Sequence, residues 1–205
     1  MDKESLRFDL DNLVKLHMDL EKQMIKFDEI IPYDRQSTAK IFSPRLLNMM
    51  LVCCPQIEAV TKLVASRCDI KTKSNSTPSL IHKINEKAVL SDFQIHLIPS
   101  NLQFTPFTKH LEWWNAYNAL KHGLSENQSK INYATVLNAF AALAALHCLA
   151  DKLMIVFDKD IPNVLDRKHW IHEEKILRIF LSNKLDPQPL WKSLLFQIKN
   201  LYRTY

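Results

Sequence analysis

Glycine is nearly missing from this chain: 1 residue in 205, where average usage of about 7% would supply roughly fourteen. Tight β-turns rely on glycine to reach positive φ. Its scarcity therefore excludes a turn-rich sandwich or barrel and leaves a mainly helical chain. No Gly-rich phosphate loop, nucleophile elbow or internal repeat is found. Cysteine is sparse as well. Cys53, Cys54, Cys68 and Cys148 form no CxxC pair, so neither a metal site nor a disulfide framework follows, and three of them sit in apolar helical patterns as small buried hydrophobes. The most apolar run, 139–150, contains His147 and is closed by Asp151 and Lys152. It falls short of the roughly 18 apolar residues that suggest a membrane span and reads as a buried core helix. The start, Met1-Asp2-Lys3-Glu4, carries mixed charge and no apolar signal-peptide core, so the expected location is cytoplasmic.

What is present suits one helical domain over residues 1–205. A hydrophobic fraction of 47% is ordinary for a globular chain long enough to bury a sizeable core. The net charge of +5 and a pI of about 9.0 favour acidic partners such as nucleic acid, as weak support only. Leu6, Leu10, Leu13, Leu16, Leu20, Met24 and Phe27 recur at helical steps and predict a first amphipathic helix over 6–27. Ser43-Pro44 supplies a capping hydroxyl and a first-turn proline for a second helix toward Arg67. Pro55 inside it predicts a kink rather than an end. Glu58 and Lys62 read as an exposed i,i+4 ion pair, a buried Glu58 serving a site being the alternative.

Residues 69–77 read as a solvated loop, and Ser79 as the cap of a helix to about Lys87. Alternation over 93–97 and again over 102–105 predicts a small hairpin ending at Pro106. A helix then starts at Thr108 or Lys109, a polar loop covers 124–132, and a long apolar helix runs over 132–158. That last helix is the expected core element, its excess apolar surface a subunit interface, and its His147 a hydrogen-bonded core residue. A further helix is expected over 170–183 and a break at 186–189. The tail 190–205 fits helix or strand. His169 and His172 with Glu173 and Glu174 are metal-ligand types, but a solvated face is the preferred reading.

The densest chemistry lies in 113–123, Trp-Trp-Asn-Ala-Tyr-Asn-Ala-Leu-Lys-His-Gly. At about 100° per residue, Trp113, Ala116, Tyr117 and Leu120 share one arc of a helix, and Asn115, Asn118 and His122 form a polar stripe opposite. Gly123 stands where a left-handed residue commonly ends a helix.

Tyr117 to His122 resembles the signature of the HEPN superfamily (higher eukaryotes and prokaryotes nucleotide-binding domain): arginine, a polar residue, three to five further residues, histidine. Asn118 takes the polar position and His122 the histidine, while Tyr117 stands at the arginine. The Trp-Trp-x-x-Tyr-Asn-x-x-Lys-His segment followed by a long Ala/Leu-rich helix resembles a bacterial HEPN-like subgroup, over about 43–158. The resemblance implies an all-α, HEPN-like helical bundle, here with a small β-hairpin, and a homodimer with its site in a cleft between subunits. It implies metal-independent RNA cleavage without a cofactor, His122 and Asn118 being the candidate catalytic residues. Asn115, Lys121, Trp114 and Tyr117 are the candidate binding residues around them. RNA or a nucleotide is the implied ligand, an antitoxin-like protein the implied partner, and defence or toxin-antitoxin function the implied role. Because Tyr117 cannot supply the arginine's charge, cleavage is expected to be weak or lost. The alternative is a noncatalytic dimeric interaction module. In another reading, Asn118 and His122 merely bond neighbouring loops and hold the helix end.

Overall fold

The structure, a computed structural model, describes residues 3–68, 70–88, 90, 93–98, 100–158, 193 and 195–200. In order these form α1 (Lys3–Ile30), α2 (Pro44–Arg67), α3 (Thr77–Ala88), β1 (Phe93–Leu97), β2 (Gln103–Phe104), α4 (Glu112–His122), α5 (Leu124–Asn127), α6 (Tyr133–Asp158) and β3 (Phe196–Asn200). The chain is mostly helical with one small antiparallel sheet, as its composition dictates. The helix expected over 170–183, the break at 186–189 and the residues His169, His172, Glu173 and Glu174 lie outside the described residues.

Helix α6 is the hub. Asn132 caps it, its Oδ1 accepting from the Thr135 backbone N–H at 3.0 Å. Val136, Leu137, Phe140, Leu143, Leu146 and Leu149 are all buried. Helix α2 is its largest neighbour, and α1 and α4 also pack on it. Up to Ala150 no residue of α6 is exposed, so the apolar surplus expected to form a subunit interface is consumed within the chain. Pro44–Ser66 and Tyr133–Ala150 are each long and apolar enough to cross a membrane by length and composition. The apolar stretch thus exceeds the 139–150 run read from sequence. Both windows are mainly buried inside the molecule, as core helices are.

Helix α2 starts as expected, with Ser43 Oγ accepting from the Leu46 N–H at 3.2 Å, and it continues through Pro55. Proline cannot bond the Leu51 carbonyl, but Leu51 and Pro55 are both exposed, where water can serve that group. Helix α1 buries most of its predicted face, Leu10, Leu20, Met24 and Phe27, with one exception and two additions. Leu16 is 51% exposed, whereas His17 and Glu21 are wholly buried. The apolar period fixed the helix and its buried face but did not show that the polar His17 and Glu21 share that face.

Helix α3 begins at Thr77, ahead of the expected Ser79, whose hydroxyl instead meets those of Ser74 and Ser76 at 2.8 and 3.0 Å. The sheet has the order β2-β1-β3. Ile95 faces Phe104 on one side, while β3 pairs along the other edge from Phe93↔Asn200 to Leu97↔Phe196. The predicted hairpin is therefore present, and the tail, open between helix and strand, supplies a third strand.

Candidate functional site

Helix α4 starts at Glu112 rather than at Thr108 or Lys109, because the Thr108 hydroxyl closes a turn by donating to the His110 carbonyl at 2.7 Å. Trp113 anchors the helix to the hairpin. Its buried ring N–H donates to the Pro106 carbonyl at 2.9 Å, which satisfies the indole in the interior. Trp113, Ala116, Tyr117 and Leu120 are buried, against α6 and α2. This is the packing arc read from sequence. Asn115, Asn118, Lys121 and His122 are exposed and Trp114 is half-buried.

Aromatic contacts run along the helix. Trp113 meets Trp114 edge-on at 5.9 Å between centroids, and Trp114 lies 5.4 Å from Tyr117. The Lys121 ammonium sits 5.1 Å from the Tyr117 ring centroid, a cation–π arrangement. Burial pushes the Tyr117 phenol up from its ordinary range, and the nearby Cys54 and Glu58 on α2 add to the shift. It stays a neutral hydroxyl. Burial likewise pushes the Cys54 thiol well up, against a smaller pull from Lys121, so Cys54 is an inert core thiol and not a nucleophile. Glu58 is paired with Lys62 at 2.7 Å, both partly exposed.

The end of α4 is built differently from the expectation. Gly123 has φ −170° and ψ 88°, extended backbone rather than the left-handed conformation. Asn127 adds a side-chain donor at the helix end: its amide donates to Ala119 O at 3.1 Å and Gly123 O at 3.0 Å, carbonyls that also accept from the Gly123 and Asn127 backbone N–H groups. A Cβ on residue 123 would stand 3.1 Å from that amide nitrogen, so glycine here admits the cap. Asn127 was missed in the sequence because its segment reads as a polar loop. The segment folds instead into α5 and a 3₁₀ turn over Gln128–Lys130. Holding the helix end thus falls to Asn127. Among the described residues, the Asn118 and His122 side chains form no hydrogen bond.

A second polar constellation lies in the core, away from α4. His17 Nε2 is 3.1 Å from Glu21 Oε1, both side chains fully buried, and Ser193 Oγ donates to that same oxygen. The His147 ring lies 5.1 Å from that of His17. Burial, and then the charge of His17, holds His147 well below the usual imidazole range, so His147 is a neutral core residue. Among the described residues, no group of three or more His, Cys, Asp or Glu side chains is placed to hold a metal ion. Comparison with family models, curated proteins and solved structures finds no match to this chain.

Proposed function

We propose that this chain is a HEPN-like, nucleic-acid-associated homodimer that presents the Asn115, Asn118, Lys121 and His122 side of α4 to RNA or a nucleotide, with cleavage weak or lost. The observation that carries the reading is the division of α4: its aromatic arc is buried while those four polar side chains are exposed. An exposed imidazole can exchange protons near neutral pH, and the amides and lysine are suited to phosphate and base edges. A cleaving site also needs a fixed cation for charge gathering on phosphate. At the arginine position of the signature, Tyr117 offers a buried neutral ring, and Lys121 rests over it. This arrangement favours binding over turnover. A role in defence or a toxin-antitoxin pair, with an antitoxin-like partner, rests on the resemblance.

A second reading, a noncatalytic dimeric interaction module, is favoured by α2. There Leu51 is 38% and Val52 49% exposed, with the exposed Pro55 one turn further on, an apolar stripe suited to protein contact.

The test is purified protein with labelled single-stranded RNA in chelator, followed for binding and cleavage beside His122→Ala, Asn118→Ala and Tyr117→Arg, each checked for helical content. The expectation is binding that weakens in His122→Ala and Asn118→Ala. Loss of one electrostatic group typically costs on the order of 10²–10³ in rate, so cleavage should be slow in the natural chain and faster in Tyr117→Arg. Cleavage that survives His122→Ala would overturn the site. Neither binding nor cleavage by any variant would leave the interaction module.

A further inference from the structure

We propose that Trp114 is a stacking platform on which α4 takes a planar base, with Lys121 placed for the phosphate that the base carries. The inference rests on the reading of α4 as a face for RNA or a nucleotide and deepens it. Two consecutive tryptophans meet opposite fates here. Trp113 is buried and its ring N–H is satisfied by the Pro106 carbonyl at 2.9 Å, so it is a packing residue. Trp114 is only half-buried, and among the described residues its ring N–H donates no hydrogen bond. An indole kept partly in water forfeits some of the largest apolar gain a side chain offers, a loss that packing alone does not explain.

The ring is held from within. Its neighbours are Trp113, at 5.9 Å with the planes at 87°, and Tyr117, at 5.4 Å and 58°. Neither lies parallel to it, so neither covers an indole face as a stacked base would, while both restrict its rotation. A platform fixed in advance loses little side-chain freedom when a ligand arrives. Around the helix axis, Asn118 at i+4 and Lys121 at i+7 fall within about 40° of Trp114, at rises of about 6 and 10 Å. Ring, amide and ammonium therefore form one line. Asn118 is exposed and can both donate to and accept from a base edge. Lys121 is exposed as well, its ammonium 5.1 Å from the Tyr117 centroid. Among the described residues no carboxylate pairs with it, Glu58 being engaged by Lys62 at 2.7 Å. Every base has a π face, so stacking of this kind tolerates any of them. The line thus selects the ring and charge of a nucleotide rather than a sequence.

The test is binding by the full chain of single-stranded oligoadenylate, an abasic oligomer of the same length and charge, and adenosine monophosphate. Oligoadenylate should bind at least about tenfold tighter than the abasic oligomer and quench tryptophan fluorescence, which the abasic oligomer should not. Trp114→Leu should weaken oligoadenylate by about five- to a hundredfold, the worth of one base–aromatic stack, and leave the abasic oligomer unchanged. Trp114→Phe keeps a ring at the position and should retain most of the affinity while losing the quenching. Lys121→Gln should weaken both oligomers and lower the salt dependence by about one phosphate contact. Equal binding of the two oligomers, or a Trp114→Leu loss shared by the abasic one, overturns the platform and leaves α4 as a phosphate-binding face. Binding of none of the probes overturns the reading of α4 and the platform together. Adenosine monophosphate bound with the same dependence on Trp114 upholds the platform for a free nucleotide, and Trp114-dependent binding confined to oligoadenylate upholds it for RNA.

Discussion

Gly123 and Asn127 form a coupled pair at the end of α4, and a double-mutant cycle reads the coupling directly. Asn127→Ala removes two neutral hydrogen bonds to the Ala119 and Gly123 carbonyls. At about 1 kcal/mol each, reduced because the half-buried carbonyls gain water, the loss should be about 1–1.5 kcal/mol. Gly123→Ala meets no backbone strain, since φ is −170°, and it lowers the entropy of the unfolded chain by the equivalent of about 0.4–1 kcal/mol. In the natural protein that gain is opposed, because the new Cβ stands 3.1 Å from Asn127 Nδ2 and makes the amide give by a few tenths of an ångström, which weakens its bonds to the carbonyls. In the Asn127→Ala background the obstacle is gone and the full gain should appear. The double variant should therefore be more stable than the sum of the singles by about 0.5–1 kcal/mol. Urea denaturation followed by circular dichroism measures the four stabilities, and exchange of the Gly123 amide, which donates to Ala119 O at 3.1 Å, localises the change. Strict additivity, or an Asn127→Ala loss under about 0.3 kcal/mol, would refute the capping argument.

Other predictions follow from the core. Tyr133→Phe removes a hydroxyl that donates to Asp28 Oδ1 at 2.6 Å and should cost about 1.5–3 kcal/mol in urea denaturation. An unchanged midpoint would show that water replaces it fully. His147 binds its proton less readily folded than unfolded, so as pH falls below the unfolded value of about 6.5 the unfolded state gains the proton first and stability declines. Above that pH the contribution is flat. His147→Leu should make the fall in urea midpoint between pH 7 and pH 5 shallower; an unaltered slope would mean that His147 is not its source. Light scattering at micromolar concentration should give twice the chain mass. A single-chain mass there would remove the dimer, and Leu51→Asp should produce that mass if the exposed α2 stripe is the interface.

Sequence alone determined those elements whose signals act within about one helical turn. The Ser43-Pro44 start of α2, the alternation behind β1 and β2, the long apolar pattern of α6 and the buried arc of α4 all follow from neighbours at i+2, i+3 and i+4. The exposure of Asn118 and His122 was legible for the same reason. Tertiary structure decided what depends on residues far along the chain. Leu16 is exposed and Glu21 buried because α1 turns to meet Ser193 and the His147 region, partners no local period can announce. The apolar tail became a strand because β1 had an open edge; the same residues fit either period. Gly123 closes the helix in an extended conformation, and Asn127, folded back in α5, joins its N–H on Ala119 O, a partner that the local pattern did not announce. Propensity and capping choose the elements locally, but the rotation of each helix and the fate of short apolar runs are set by the surface that finally covers them.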